Sequence, residues 1–189
     1  MLMVFWIKRF IWICLFLSVF HSVQANEYAA NVKQVEITLQ NNEYVLAADL
    51  DYHLSEQAIE ALQNSVPLFW KIRIKIQKQR DFWFDKTEVK LEIRYRLQYH
   101  ALVKMYRVRN EQTGEVNNFS TLTAALDDMA TIRNFPLIDK KLLLSKTRYF
   151  AAIKVMFDES ELPLPLQTKI IANPQWQLSS DWTKWYFKH

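Results

Sequence analysis

The sequence predicts a mainly β (α+β) domain, an antiparallel β-sandwich or strongly curved sheet carrying two short inserted helices. Three observations support this. From Pro67 to Tyr99, PLFWKIRIKIQKQRDFWFDKTEVKLEIRYRLQY alternates oily and charged residues, the period of strands with one dry face and one wet face. The stretches VEITL from Val35 and Tyr44 to Leu54 repeat the alternation. Apolar residues recur at helical spacing in two short segments, each behind a hydroxyl residue suited to cap a helix.

The chain opens MLMVFWIKRFIWICLFLSVFHSVQANEY, with Lys8 and Arg9 ahead of an apolar run from Phe10 to Phe20 and a small-residue ending at Ala25. This is the pattern of a secretory signal peptide. The run is far short of the roughly twenty residues that cross a bilayer, so residues 1–25 are expected to be cleaved after Ala25, leaving residues 26–189 as one periplasmic domain. Cleavage removes the single cysteine, Cys14, and the mature chain must then be held together by burial alone, without disulfides or thiolate-bound zinc.

Val35–Leu39 and Tyr44–Leu54 read as a hairpin around Gln40-Asn41-Asn42-Glu43. Ser55 caps the first helix, SEQAIEALQNS, with Leu54 and Ile59 placed as a hydrophobic staple. Pro67 ends that segment. Trp70, Ile72, Ile74 and Ile76 then face inward along one strand, and Val89, Leu91, Ile93, Tyr95, Leu97 and Tyr99 along its return. If the two pair, opposed residue numbers sum to an odd value, which sets Glu88 and Glu92 across from or diagonal to Lys71, Arg73 and Lys75. Asp49 and Asp51 offset more of this charge if their strand lies alongside.

The alternation loses phase at Ala101–Lys104, the signature of a bulge or bend. NEQTGEVN, with the only glycine, Gly114, reads as a turn. A second helix starts at Ser120 and carries a stripe of Leu122, Leu126, Met129 and Ile132 or Arg133. RYFAAIKVMF, Arg148–Phe157, is apolar on both faces and reads as an interior strand. Pro163 and Pro165 predict an extended polyproline-like connector, and the Trp-rich tail WQLSSDWTKWYFKH is expected to dock on the body.

Several functions are excluded. One glycine cannot build a phosphate-cradling loop, a dinucleotide fingerprint or a nucleophile elbow. Removing Lys8 and Arg9 from the 24 basic residues leaves 22 against 20 acidic ones, too even a balance for nucleic-acid binding, which needs many uncompensated phosphate contacts. Asp49, Asp51 and His53 alternate on one strand face and form a weak metal-ligand set, because three ligands on a flat strand rarely close a coordination sphere. His100 has no visible serine partner, and Ser179-Ser180-Asp181 are adjacent in sequence, which is not triad geometry. No catalytic residue and no cofactor is expected.

The basic stripe itself reads as a solvated sheet face, but the surplus of Lys90, Arg94 and Arg96 keeps a binding role open. Phe82, Trp83 and Phe84 at the hairpin tip cannot all enter one core. They either cap the end of the sheet layers with Trp176 and Trp182, or meet a partner or a lipid surface.

Taken in order, VPLFWKIRI, RDFWFDK, RYRLQYHALVKMYRV, FSTLTAALDDM, RYFAAIKVMFDESELPLPLQ and WQLSSDW resemble an uncharacterised bacterial family, domain of unknown function 4390. The resemblance covers most of the chain from Val35 onward. It implies an exported protein of Gram-negative bacteria, sometimes labelled a proline-rich signal-peptide protein, with no assigned reaction and with gene neighbourhoods that hold a membrane sensor kinase. Where family members tend to place glycine ahead of a proline, this chain has Ser65-Val66-Pro67, a departure where a tight turn is expected. The resulting expectation is a non-enzymatic interaction module for an envelope partner, such as a sensor kinase, contacting it through Phe82, Trp83 and Phe84 with Lys90, Arg94 and Arg96 as a cationic rim. The alternative is a carrier of a hydrophobic small molecule or lipid in a sheet-lined cavity formed by Tyr95, Tyr99 and Met105.

Overall fold

The computed structural model describes residues 29–80, 85–145, 147–170 and 173–187. The leader and Phe82, Trp83 and Phe84 lie outside the described residues. Among these residues nine strands form two antiparallel sheets. β1 (Ala30–Gln40), β2 (Glu43–Tyr52) and β7 (Thr131–Asp139) make a three-stranded sheet in the order β1-β2-β7. The second sheet has six strands in the order β6-β5-β4-β3-β8-β9, built from β3 (Leu68–Lys78), β4 (Lys86–His100), β5 (Met105–Asn110), β6 (Val116–Phe119), β8 (Tyr149–Phe157) and β9 (Thr183–Phe187). Among the described residues there are three α-helices: α1 (Glu56–Gln63), α2 (Leu122–Ala130) and α3 (Leu164–Ile170).

The inward residues are those the alternation marks. Leu46, Leu50 and Tyr52 of β2 are buried in one core with Trp70, Ile72, Ile74 and Ile76 of β3 and Ala151, Ile153 and Val155 of β8. Tyr52 sets its ring edge-on to Trp70 at 5.6 Å, and Tyr44 meets Phe187 at 5.2 Å. Each of these isoleucines, fully buried, contributes about 1.5–3 kcal/mol relative to exposure. The hairpin of β3 and β4 has the odd-sum register throughout its main ladder, from Leu68 opposite Leu97 to Ile76 opposite Val89.

Local chemistry fixes the connections. Asn41 and Asn42 have φ of 48° and 68°, which closes the two-residue β1–β2 turn in the form whose twist suits paired strands. The Ser55 side chain accepts from Ala58 N–H at 3.2 Å and caps α1. At its other end, Ser65 N–H donates to Leu62 and Val66 N–H to Ala61, the paired bonds of a Schellman motif. Ser65 stands in the left-handed position at φ 65°, where glycine carries no steric penalty. Gly114, at φ 75°, completes the β5–β6 turn and donates to Asn110 O at 2.9 Å.

The structure corrects four expectations. Ala101–Lys104 is a full reversal joining β4 to β5. The second helix is capped by Thr121 and ends at Ala130, and Ile132 belongs to β7. Pro136 fits this strand because β7 is an edge whose pairing with β2 is interrupted by register shifts, with Asn134 at φ 50°. The Pro163-Pro165 segment enters α3, with Pro163 O accepting from Leu166 and Gln167 N–H. Prolines are tolerated there because the N–H groups of a first helical turn have no intrahelical acceptor. Finally, β2 lies in the other sheet, so Asp49 and Asp51 do not flank the basic stripe.

The tail docks as expected. Trp176 is buried, its indole N–H donating to Gln57 Oε1 at 3.2 Å. Ser179 and Ser180 place their hydroxyls on the backbone N–H groups of Phe157 and Val155, both at 2.9 Å. They extend the edge of β8 before β9 pairs with it.

Candidate functional site: the outer face of the six-stranded sheet

Strand register places the odd-numbered residues of β3 and the even-numbered residues of β4 and β8 on the face turned away from the core. Four rows cross this face. Lys90, Lys75, Ala152 and Lys184 form the first, and Glu92, Arg73 and Lys154 the second. Arg94, Lys71 and Met156 form the third, and Arg109, Arg96 and Phe69 the fourth. Asp158, just past β8, donates its backbone N–H to Phe69 O at 2.8 Å and closes the fourth row.

Cations therefore face cations directly across the ladders: Lys75 opposite Lys90, Arg73 opposite Lys154, Lys71 opposite Arg94, and Arg96 opposite Arg109. Like charges in directly opposed positions are destabilising. Lys90, Arg94 and Arg96, singled out in the sequence, all lie on this face.

The face has two distinct ends. At the Arg94 end, a cleft of about 570 Å³ is lined by Lys71, Arg94, Arg96, Glu111, Asp158 and Glu161 among others. Its charges are cross-linked. Lys71 pairs with Asp158, Arg94 Nη2 lies 3.7 Å from Asp158 and 3.8 Å from Glu161, and Arg96 Nε lies 3.0 Å from Glu111. Asp158 is 8% exposed. Burial alone raises its pKa, but the Lys71 ammonium, the Ser160 hydroxyl and Arg94 outweigh that and hold its carboxyl below the usual range.

At the other end Lys184 pairs with Asp85 at 3.4 Å, but the remaining lysines lack such partners. Arg73 is neutralised by Glu92 at 3.0 Å, but Lys75, Lys90 and Lys154 make no ion pair among the described residues. Lys75 Nζ instead sits 4.1 Å from the centre of the Trp182 ring, and Lys184 Nζ 4.6 Å from that of Phe150. Trp182 is 38% exposed and Tyr186 64%.

Other sequence candidates are placed elsewhere. Asp49 pairs with Arg133 at 2.5 Å and Asp51 with Lys33 at 2.6 Å, while His53 Nε2 lies 3.8 Å from Asp51. Each carboxylate is thus engaged by its own cation, and no group of three or more potential metal ligands converges among the described residues. His100 ends β4 opposite Met105, with no hydrogen-bond partner on Nε2 among the described residues. Tyr95 and Tyr99 point to the inner face whereas Met105 shares the outer face with His100, so these three do not line a common cavity. Tyr99 instead packs its ring on Tyr106 at 4.8 Å. Among the described residues no helix is long and apolar enough to cross a membrane.

The like-charge pairs were the feature sequence reasoning missed. Arg73/Lys154 and Arg96/Arg109 depend on which strands flank the hairpin, and alternation does not encode strand order. Neither a curated protein nor a solved structure matches the chain. Residues 27–186 match a family described as "Domain of unknown function (DUF4390)", a description that names no catalytic activity. That match spans most of the sequence, and the chain belongs to this family.

Proposed function

We propose that this protein is an exported, non-enzymatic interaction module that works in the periplasm and docks an acidic envelope protein on the outer face of its six-stranded sheet. The observation that carries the reading is the set of four directly opposed cation pairs. Asp158 already spans Lys71 and Arg94, and Glu111 spans Arg96 and Arg109; an acidic partner would supply further carboxylates in the same bridging geometry. The Arg94 cleft suits this role. Its guanidinium forks are already oriented by Glu92, Glu111 and Glu161, so a carboxylate added beside them meets donors that need little further ordering.

A membrane sensor kinase is one such partner, in keeping with the family's gene neighbourhoods. Phe82, Trp83 and Phe84 are the proposed apolar anchor that accompanies the cationic rim. The test is cross-linking in an envelope fraction followed by capture on the tagged full-length protein. Arg94→Gln/Arg96→Gln is expected to reduce capture at least tenfold and to leave the fold intact. Alanine at Phe82, Trp83 and Phe84 separates the anchor from the rim. If capture survives both variants in folded protein, the partner binds elsewhere.

A further inference from the structure

The lysine end of the outer face is chemically unlike the cleft. Its free charges are lysines, compact ammonium groups on flexible stems, where the cleft uses arginine forks. Lys75 and Lys90 are directly opposed, and Lys154 lies one row on, opposite Arg73. No carboxylate neutralises Lys75, Lys90 or Lys154 among the described residues. On the flank stand two exposed aromatics with polar tips, Trp182 beside Lys75 and Tyr186 packed 5.5 Å from Phe150. The hollow here, about 400 Å³, is lined by Arg73, Lys75, Lys90 and Glu92 with the backbone neighbours Ile74 and Leu91, so three cations stand against one carboxylate.

We infer that this end seats the domain on an anionic phospholipid surface, with Lys75, Lys90 and Lys154 facing headgroup phosphates and Trp182 and Tyr186 at the headgroup level. Charge complementarity decides for lipid. A protein groove rewards fixed, forked donors and apolar pockets, whereas a bilayer surface is a laterally mobile sheet of negative charge that adapts to unforked lysines. Tryptophan and tyrosine are the residues whose amphipathic rings suit the interface between headgroups and water. This inference extends the proposed working surface, since a domain seated by its lysine end holds the arginine cleft close to the membrane, within reach of a membrane-embedded partner.

The experiment is sedimentation of the tagged protein, expressed from the full-length sequence, with phosphatidylcholine vesicles lacking or containing phosphatidylglycerol. The readout is the added binding due to the anionic lipid, so any contribution of the N-terminal segment to neutral vesicles cancels. Each lysine near an anionic surface contributes about a fivefold partition. Lys75→Gln/Lys90→Gln/Lys154→Gln is therefore expected to lower the anionic increment about a hundredfold, and raised salt to abolish it in the wild type. A control of equal net charge, Lys33→Gln/Lys104→Gln/Lys169→Gln, is expected to keep the increment, and inorganic phosphate at equal ionic strength should compete no better than chloride.

An unchanged increment in the folded sheet variant overturns the inference, as does an equal loss in the control or the absence of any anionic increment in the wild type. Partner capture is measured in parallel. If the lysine variant retains capture while losing vesicles, the two ends act separately. If Arg94→Gln/Arg96→Gln retains capture while vesicle binding follows the lysines, the partner-docking reading fails and the lipid inference stands.

Discussion

The two faces of the β3–β4 hairpin are made from the same strands and obey opposite rules. The inner face pairs Trp70 with Tyr95, Ile72 with Ile93 and Ile74 with Leu91, each contact adding to the next. The outer face pairs Lys71 with Arg94, a contact bridged by Asp158, and Lys75 with Lys90, which meets no carboxylate among the described residues and opposes the ladder beneath it. The inner face explains why the domain folds. The outer face is tolerated because the inner one is strong, and its composition points to an external partner.

Predictions that probe this contrast run from large to small. Trp70→Ala should be the most damaging, because Trp70 is buried against Tyr52 and Phe157 and its indole N–H reaches Leu178 O. Urea denaturation should show a loss of about 3–5 kcal/mol. Lys71→Met tests the outer-face cation paired with buried Asp158, and removing it leaves that carboxylate with Arg94, 3.7 Å away, as its remaining cation. A loss of about 2 kcal/mol is expected. Because the folded Asp158 pKa is depressed below its ordinary 3.8, its contribution is fully present above that value and is lost as pH falls through the folded pKa. The acid limb of a stability–pH curve should therefore be steeper in the wild type than in Lys71→Met.

Two gains complete the series. Ser65→Gly relieves a left-handed residue at the end of α1 and should add about 1 kcal/mol without altering partner capture. Lys90→Thr removes the repulsion with Lys75 and should add about 0.5 kcal/mol while weakening vesicle binding. Stability rises in both, and only the second touches the proposed function. A fall in urea midpoint for Lys90→Thr would show that the outer face supports the fold.

The sandwich was legible where alternation was strong. The hairpins β1–β2 and β3–β4, the odd-sum register and the Ser55 cap follow from side-chain period and turn residues. β7 was hidden because Ile132 continues the Leu122, Leu126 and Met129 stripe, and the bend at Asn134 breaks its alternation. α3 was hidden because two prolines argue against helix unless they fall at its start, as Pro163 and Pro165 do. For the site, the sequence disclosed Lys90, Arg94 and Arg96 and the facing stripe of Lys71, Arg73 and Lys75, but not Arg109, which the β4–β5 reversal sets opposite Arg96, nor Lys154, which reaches Arg73 through a pairing distant in the chain.

The most direct test compares capture of envelope partners by the wild type and by Lys90→Thr/Arg94→Gln/Arg96→Gln at equal folded fraction. Capture reduced at least tenfold, in a variant as stable as its parent, is the predicted result. Undiminished capture would contradict it and leave the outer face as an unfavourable but idle surface.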